Sequence, residues 1–223
     1  MAFVVAIDGP AGSGKGTVTK LVGKKMGLLN IDTGAMYRCV TLECLNQNIL
    51  PEELEKIEKV LKNIDIKFKK DNEKDLIFLN GIDVTEEIRT TKVNTNVAKF
   101  AAVKIIRDKV TPMQREMGKN SDIIMEGRDI GTVVFPNADV KIFLDCSVEE
   151  RARRRYKQNQ EKGIKSTYEE VLESIKERHK LETEREVAPF VQAEDAIYVD
   201  STNLTIEEVV SKIIEIIEEK KNK

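Results

Sequence analysis

An α/β fold, a parallel five-stranded sheet flanked by helices, is what this sequence predicts, and two observations carry the prediction. Short apolar runs at residues 3–7, 28–31, 123–125, 140–144 and 196–199 have the length and composition of buried strands. Amphipathic stretches of helical length alternate with them, the order expected when helices cover both faces of a parallel sheet. The 223 residues suffice for one sizeable core with an insertion.

The elements follow in chain order. The strand at 3–7 enters a glycine-rich loop and then "TVTKLVGKKMG", which reads as a helix. After the strand at 28–31 a polar helix is predicted over 51–63. "IDIKFKK" then alternates, "DNEK" turns, and "DLIFLNGIDV" runs back as strand through an Asn80-Gly81 turn. A small hairpin-type sheet therefore interrupts the larger fold. Three helix starts, at Ser147, Thr167 and Thr205, carry a glutamate three residues on (Glu150, Glu170, Glu208). In that pattern hydroxyl and carboxylate satisfy orphan N–H groups reciprocally. The last helix repeats Ile206, Val209, Val210, Ile213, Ile214 and Ile217, a core-facing stripe.

The bulk numbers exclude several classes. A formal net charge of −2 leaves no global basic field, so no nucleic-acid partner is expected. The cationic stretch "RARRRYKQNQEKG" at 151–163 reads instead as a helix face or a lid. No apolar run approaches the length of a membrane span, and the run at 3–7 is too short for a secretory signal. The three cysteines, Cys39, Cys44 and Cys146, are an odd number without metal-ligand spacing. They point to a reduced, cytoplasmic protein in which each thiol acts as a small buried hydrophobe. No apolar surface stripe is left over, so a monomer is expected.

The chemistry begins at Gly9-Pro10-Ala11-Gly12-Ser13-Gly14-Lys15, which matches G-x-x-x-x-G-K between a strand and a helix. The glycines let successive N–H groups turn inward as an anion nest, the helix start adds its positive end, and Lys15 supplies a point charge for outer phosphates. Gly16 stands where Ser or Thr usually follows the lysine, and Thr17 comes next. The metal-contacting hydroxyl then falls to Thr17, directly or through water. Asp8, at the strand end, either holds a metal-bound water or caps the loop. No guanine-reading N-K-x-D stretch is present.

A second constellation lies on segments that follow strands, where open parallel sheets bind ligands. Arg38, Arg128, Arg178 and Arg185 can fork onto phosphate oxygens, each charge-assisted bond contributing about 1.5–3 kcal/mol. Asp129 can accept a hydrogen bond from an exocyclic amine, as acids do with cytosine N4.

"AIDGPAGSGKGT", "DTGAMYR", "EGRDIGTVVFPNADVKIFLD" and "IKER…R…VAP" stand in the order of one family. Over essentially its full length the chain resembles the bacterial-type cytidylate kinases, within the P-loop nucleoside monophosphate kinases. The resemblance implies Mg²⁺ and ATP at Gly9 to Thr17 and phosphoryl transfer to CMP or dCMP. It places Thr33, Tyr37 and Arg38 near the acceptor nucleotide, with Arg38 and Arg128 toward its phosphate. Arg107 and Asp129 match positions that read cytosine, and Arg178, Glu182 and Arg185 match positions near sugar and phosphate. Arg154 matches a residue of a lid that closes on the donor, so Lys15, Arg128, Arg154 and Arg185 form the expected catalytic set. The implied organisation is a single P-loop kinase domain. Its core is 1–38, 85–150 and 168–223, its β-containing monophosphate-binding insert 39–84 and its helical lid 151–167. The chain departs from the family's common residues at Ala98, His179 and Glu182. A kinase for another acceptor such as UMP, or an ATP-binding regulatory module, are the alternatives.

Overall fold

The computed structural model describes residues 2–71 and 74–222. The chain forms two compact units: residues 1–32 with 115–223, and residues 33–114. The second is wider than the expected insert at 39–84.

The first unit is the parallel sheet. Its strands are β1 (Val4–Asp8), β2 (Leu29–Asp32), β6 (Ile123–Gly127), β7 (Val140–Asp145) and β8 (Ile197–Asp200). They pair in the order β2-β6-β1-β7-β8, every pair parallel. β1 is buried along its whole length because it is flanked on both edges and covered on both faces. Alternation sorts its side chains into two cores. Val5 and Ile7 pack with Ile142, Leu144 and Val199 beneath Val18 and Val22 of α1 (Lys15–Met26) and Val209, Val210, Ile213 and Ile217 of α8 (Ile206–Lys221). Val4 and Ala6 face the other way, against Ile31, Ile123, Met125, Ile130 and Val134. Each fully buried Ile or Val contributes about 1.5–3 kcal/mol. The stripe of α8 is thus core as expected, except that Ile206, in its first turn, is 47% exposed.

Helices α6 (Val148–Glu161) and α7 (Tyr168–Glu184) pack on each other through Ala152, Val171 and Ile175. Thr167 and Thr205 form full capping boxes with Glu170 and Glu208. Ser147 forms only half of one: its hydroxyl accepts from the Glu150 N–H, while its own N–H donates to Thr202 Oγ1. The Glu150 carboxylate is drawn away by Arg153 and Arg154, at 2.6 and 2.9 Å.

The second unit joins α2 (Thr33–Asn46), α3 (Leu54–Asn63), α4 (Thr91–Ala102) and most of α5 (Lys104–Met117) to an antiparallel sheet. That sheet is β3 (Ile66–Asp71), β4 (Lys74–Leu79) and β5 (Ile82–Asp83). The predicted polar helix begins late, at Leu54, and is amphipathic, with Ile57, Val60 and Leu61 buried. Asn80 and Gly81 both take positive φ, 51° and 82°, and join Leu79 to its partner Ile82 in a two-residue turn. The centre of the expected "DNEK" turn, residues 72–73, lies outside the described residues. Cys39 and Cys44 are buried in this unit and Cys146 in the other, all unlinked. Among the described residues no helix is long and apolar enough to cross a membrane.

Candidate active site

The glycine-rich loop connects β1 to α1 at the carboxyl edge of the sheet. Gly12 and Gly14 take φ of 85° and 89°, the left-handed values that turn successive N–H groups toward one point. Lys15 is buried, and its ammonium donates to the carbonyl of Pro10 at 2.8 Å. Burial, and after it the Arg128 guanidinium, push that ammonium down to about 7. Ser13 is buried under the loop, and Thr17 is exposed on the first turn of α1.

The carboxylate of Glu126 lies close to Gly16. A Cβ there would meet Glu126 Oε1 at 3.1 Å. Glu126 ends β6 beside β1, so a carboxylate from the neighbouring strand stands over the turn where Ser or Thr usually sits. Glu126 lies inside the "EGRD" motif, yet sequence reasoning passed over it. Only the register Ile7↔Glu126 places it at the loop.

Asp8 uses both oxygens as a cap, accepting the N–H groups of Ile130 and Gly131 at 2.8 Å each. Burial pushes its carboxyl up to about 6 despite those two bonds. Of the two roles open to it from sequence, this geometry supplies the loop cap.

Past β6 the chain delivers Arg128 and Asp129. Arg128 Nε donates to Glu182 Oε2 at 2.7 Å, and Arg178 Nε donates to Glu182 Oε1 at 2.8 Å. Glu182 is thus a carboxylate 5% exposed between two guanidiniums. Burial alone would raise its pKa, but Arg128 and then Arg178 outweigh it and hold the carboxyl far below its usual range. Arg178 and Glu182 reach the same partner because they are four residues apart on α7. Arg185, just beyond α7, donates from Nε to the Ala188 carbonyl at 2.6 Å and lies 3.7 Å from Asp129 Oδ1. His179 packs edge-on against Phe190, with ring centroids 5.8 Å apart.

The stretch expected as a lid, 151–167, begins on α6. Arg154 donates to the Ser201 carbonyl at 2.7 Å and reaches Ser13 O at 3.4 Å. Arg151 is buried and donates to Cys146 O and Ala11 O. Ser201 and Arg151 were missed from sequence, although Arg151 sits in the quoted "RARRR" run; Ser201 carried no motif.

Four predicted residues belong to the second unit. Thr33 opens α2 and is buried, Tyr37 follows one turn later, and Arg38 is half-buried. Arg107, 3% exposed, donates to Ala101 O at 3.0 Å and lays its guanidinium over the Tyr37 ring, 5.3 Å from the centroid.

The sequence profile of the cytidylate kinases matches residues 5–219. The chain belongs to the cytidylate kinase family. A cytidylate kinase of Fusobacterium nucleatum is 51% identical, covering 98% of this chain and 99% of its own. One of Bacillus subtilis is 46% identical, covering 97% and 96%. In fold, the chain is similar to a shikimate kinase from Bacteroides thetaiotaomicron at TM-score 0.50 and 13% identity, covering 97% of this chain and 98% of that one. It also resembles an uncharacterized protein from Eubacterium ventriosum at TM-score 0.54 and 14% identity, covering 98% and 99%.

Proposed function

We propose that the chain transfers the terminal phosphoryl group of Mg-ATP to CMP or dCMP, giving ADP and CDP or dCDP. The observation that carries this reading is the coupling of Lys15 to Arg128. Lys15 is buried in the donor loop, and the half-buried guanidinium of Arg128, from the "GRD" segment, is close enough to depress its pKa. Glu182 partners Arg128 from one side, and phosphates meeting between the two residues would favour the charged form of Lys15 as well.

In the reaction an acceptor phosphate oxygen bonds to the terminal phosphorus as the bond to the ADP oxygen breaks. The acceptor's second pKa is about 6, so it is already a dianion at neutral pH and needs no strong base. That agrees with a chain whose one histidine is packed against Phe190. The loop N–H groups of Gly9 to Thr17 and Lys15 hold the donor phosphates, with Arg154 at the loop's flank. Arg128 and Arg185 hold the acceptor phosphate, with Arg178 and Glu182 fixing Arg128. Asp129 and Arg107 read the base, and Thr33, Tyr37 and Arg38 line the acceptor nucleotide. Mg²⁺ bound with ATP supplies charge neutralisation on the transferring phosphates. Thr17, exposed on the first turn of α1, and Glu126, whose carboxylate lies near Gly16, are the residues that would hold it. Asp8, with both oxygens capping N–H groups, would act through water.

ADP release from Mg-ATP with CMP, dCMP, UMP, AMP, GMP or no acceptor tests this. Release with CMP and dCMP alone is expected. Comparable release with UMP would assign a broader pyrimidine kinase. Silence with every acceptor, despite ATP binding, would assign a regulatory module.

A further inference from the structure

The segment that carries Arg128 and Asp129 continues into one π-turn, Ile130–Val134, and the chain grips that turn at both ends. At its start the two Asp8 oxygens accept the N–H groups of Ile130 and Gly131, 2.8 Å each. At its end Arg115, on the last turn of α5, donates from Nε to Val134 O at 2.9 Å and from Nη2 to Val133 O at 2.7 Å. A carboxylate on the N–H end and a guanidinium on the carbonyl end both suit the polarity of the turn. Inside, the Asp129 carbonyl accepts the N–H groups of Val133 and Val134, at 2.9 and 3.1 Å, so fixing the turn fixes the Asp129 backbone. A Cβ on Gly131 would lie 3.1 Å from the Lys141 stem and 3.4 Å from Asp8 Oδ2.

We propose that Asp8 and Arg115 are positioning residues for the acceptor: they clamp the Ile130–Val134 turn at its two poles and so set the aim of Asp129. π-turns are rare and concentrate at functional sites, because the wider turn leaves backbone groups that outside partners must satisfy. Here two charged side chains from elsewhere in the unit satisfy them. Arg115 is solvent-exposed, so its two short bonds are not those of a side chain confined in the core. The inference rests on the acceptor role proposed for Asp129.

The test is a split between the two substrates. Arg115→Ala is expected to raise KM for CMP on the order of tenfold, the loss of two charge-assisted bonds being only partly felt at the site. KM for ATP stays within about twofold, because the donor loop is held by other bonds. Arg115→Lys, which reaches only one carbonyl, falls between, and added guanidinium ion restores the CMP value in Arg115→Ala. An unchanged CMP KM, or CMP and ATP values rising together, overturns the proposal. For Asp8, amide exchange is the readout. Asp8→Asn, which keeps a single acceptor oxygen, is expected to lose protection at one of Ile130 and Gly131, and retained protection at both removes Asp8 from the clamp. Asp129→Ala is the reference. If it keeps the preference for CMP over UMP, the acceptor reading of Asp129 fails and takes the clamp's purpose with it. If it loses that preference while Arg115→Ala keeps both KM values, only the clamp fails.

Discussion

Lys15 carries two loads that pull its proton in one direction. Burial and the neighbouring Arg128 both favour the neutral amine, and at about 7 the group is half-charged in neutral solution. A bound polyphosphate reverses the balance, since an anion at hydrogen-bond distance favours the ammonium. ATP binding at pH 8 is therefore expected to take up close to one proton. Calorimetry in buffers of different ionisation enthalpy measures this, and Lys15→Met should abolish the uptake. Binding with no proton taken up would mean that Lys15 is already charged in the free protein. The residue scale is also where sequence reading was most uneven. Gly9 to Lys15 were legible because spacing alone specifies a nest. Glu126 was not, because its relation to Gly16 runs across two strands and depends on register.

Helix α6 is the element in which the expected lid and the observed packing divide. Its first turns are fastened: Arg151 is buried against Cys146 and Ala11 carbonyls, and Arg154 is bonded to Ser201. Beyond Arg155 the side chains are mostly solvated, and the helix ends near Gly163 at a positive φ of 67°. If this element closes on the donor, the change belongs to its distal half. Binding of a non-hydrolysable ATP analogue is expected to slow amide exchange over 156–163 and to leave 148–152, already anchored, unchanged. Equal protection with and without the analogue would argue against closure. The caps show how far local sequence reaches. Thr167 and Thr205 behave as their motifs predict, Glu170 and Glu208 each reaching back to the cap N–H. At Ser147 two arginines on the next turn, Arg153 and Arg154, compete for Glu150 and win with charge-assisted bonds.

For the whole molecule, the buried carboxylates give stability two opposing dependences on pH. Glu182 has a depressed pKa, so its contribution is complete above the ordinary value of 4.5 and is lost as acid protonates it. Asp8 has a raised one, so its contribution is full below 3.8 and gone once pH has risen past about 6. Glu182→Gln is expected to destabilise the protein at pH 7 by about 3–5 kcal/mol, by leaving two guanidiniums without their shared partner. It should also flatten the loss of stability below pH 4.5. Urea midpoints from pH 3 to pH 8 check both, and an unaltered acid limb would place acid sensitivity in other carboxylates. At this scale the parallel sheet was readable because its inner strands β1, β6 and β7 are largely apolar runs, as a sheet covered on both faces favours. The arginine cluster was readable only in part. Sequence named Arg128, Arg178 and Glu182, but that one carboxylate ties both guanidiniums together emerges only when α7 is laid beside the end of β6.

The buried thiols have a consequence of another kind. Cys39 and Cys44 belong to one unit and Cys146 to the other, and burial holds the Cys44 thiol up at about 11, where almost no reactive thiolate exists. A thiol reagent therefore registers neither unit while it is closed, and marks whichever one opens. The chain carries its own pair of chemical clocks, one per unit, with no label added and no residue changed.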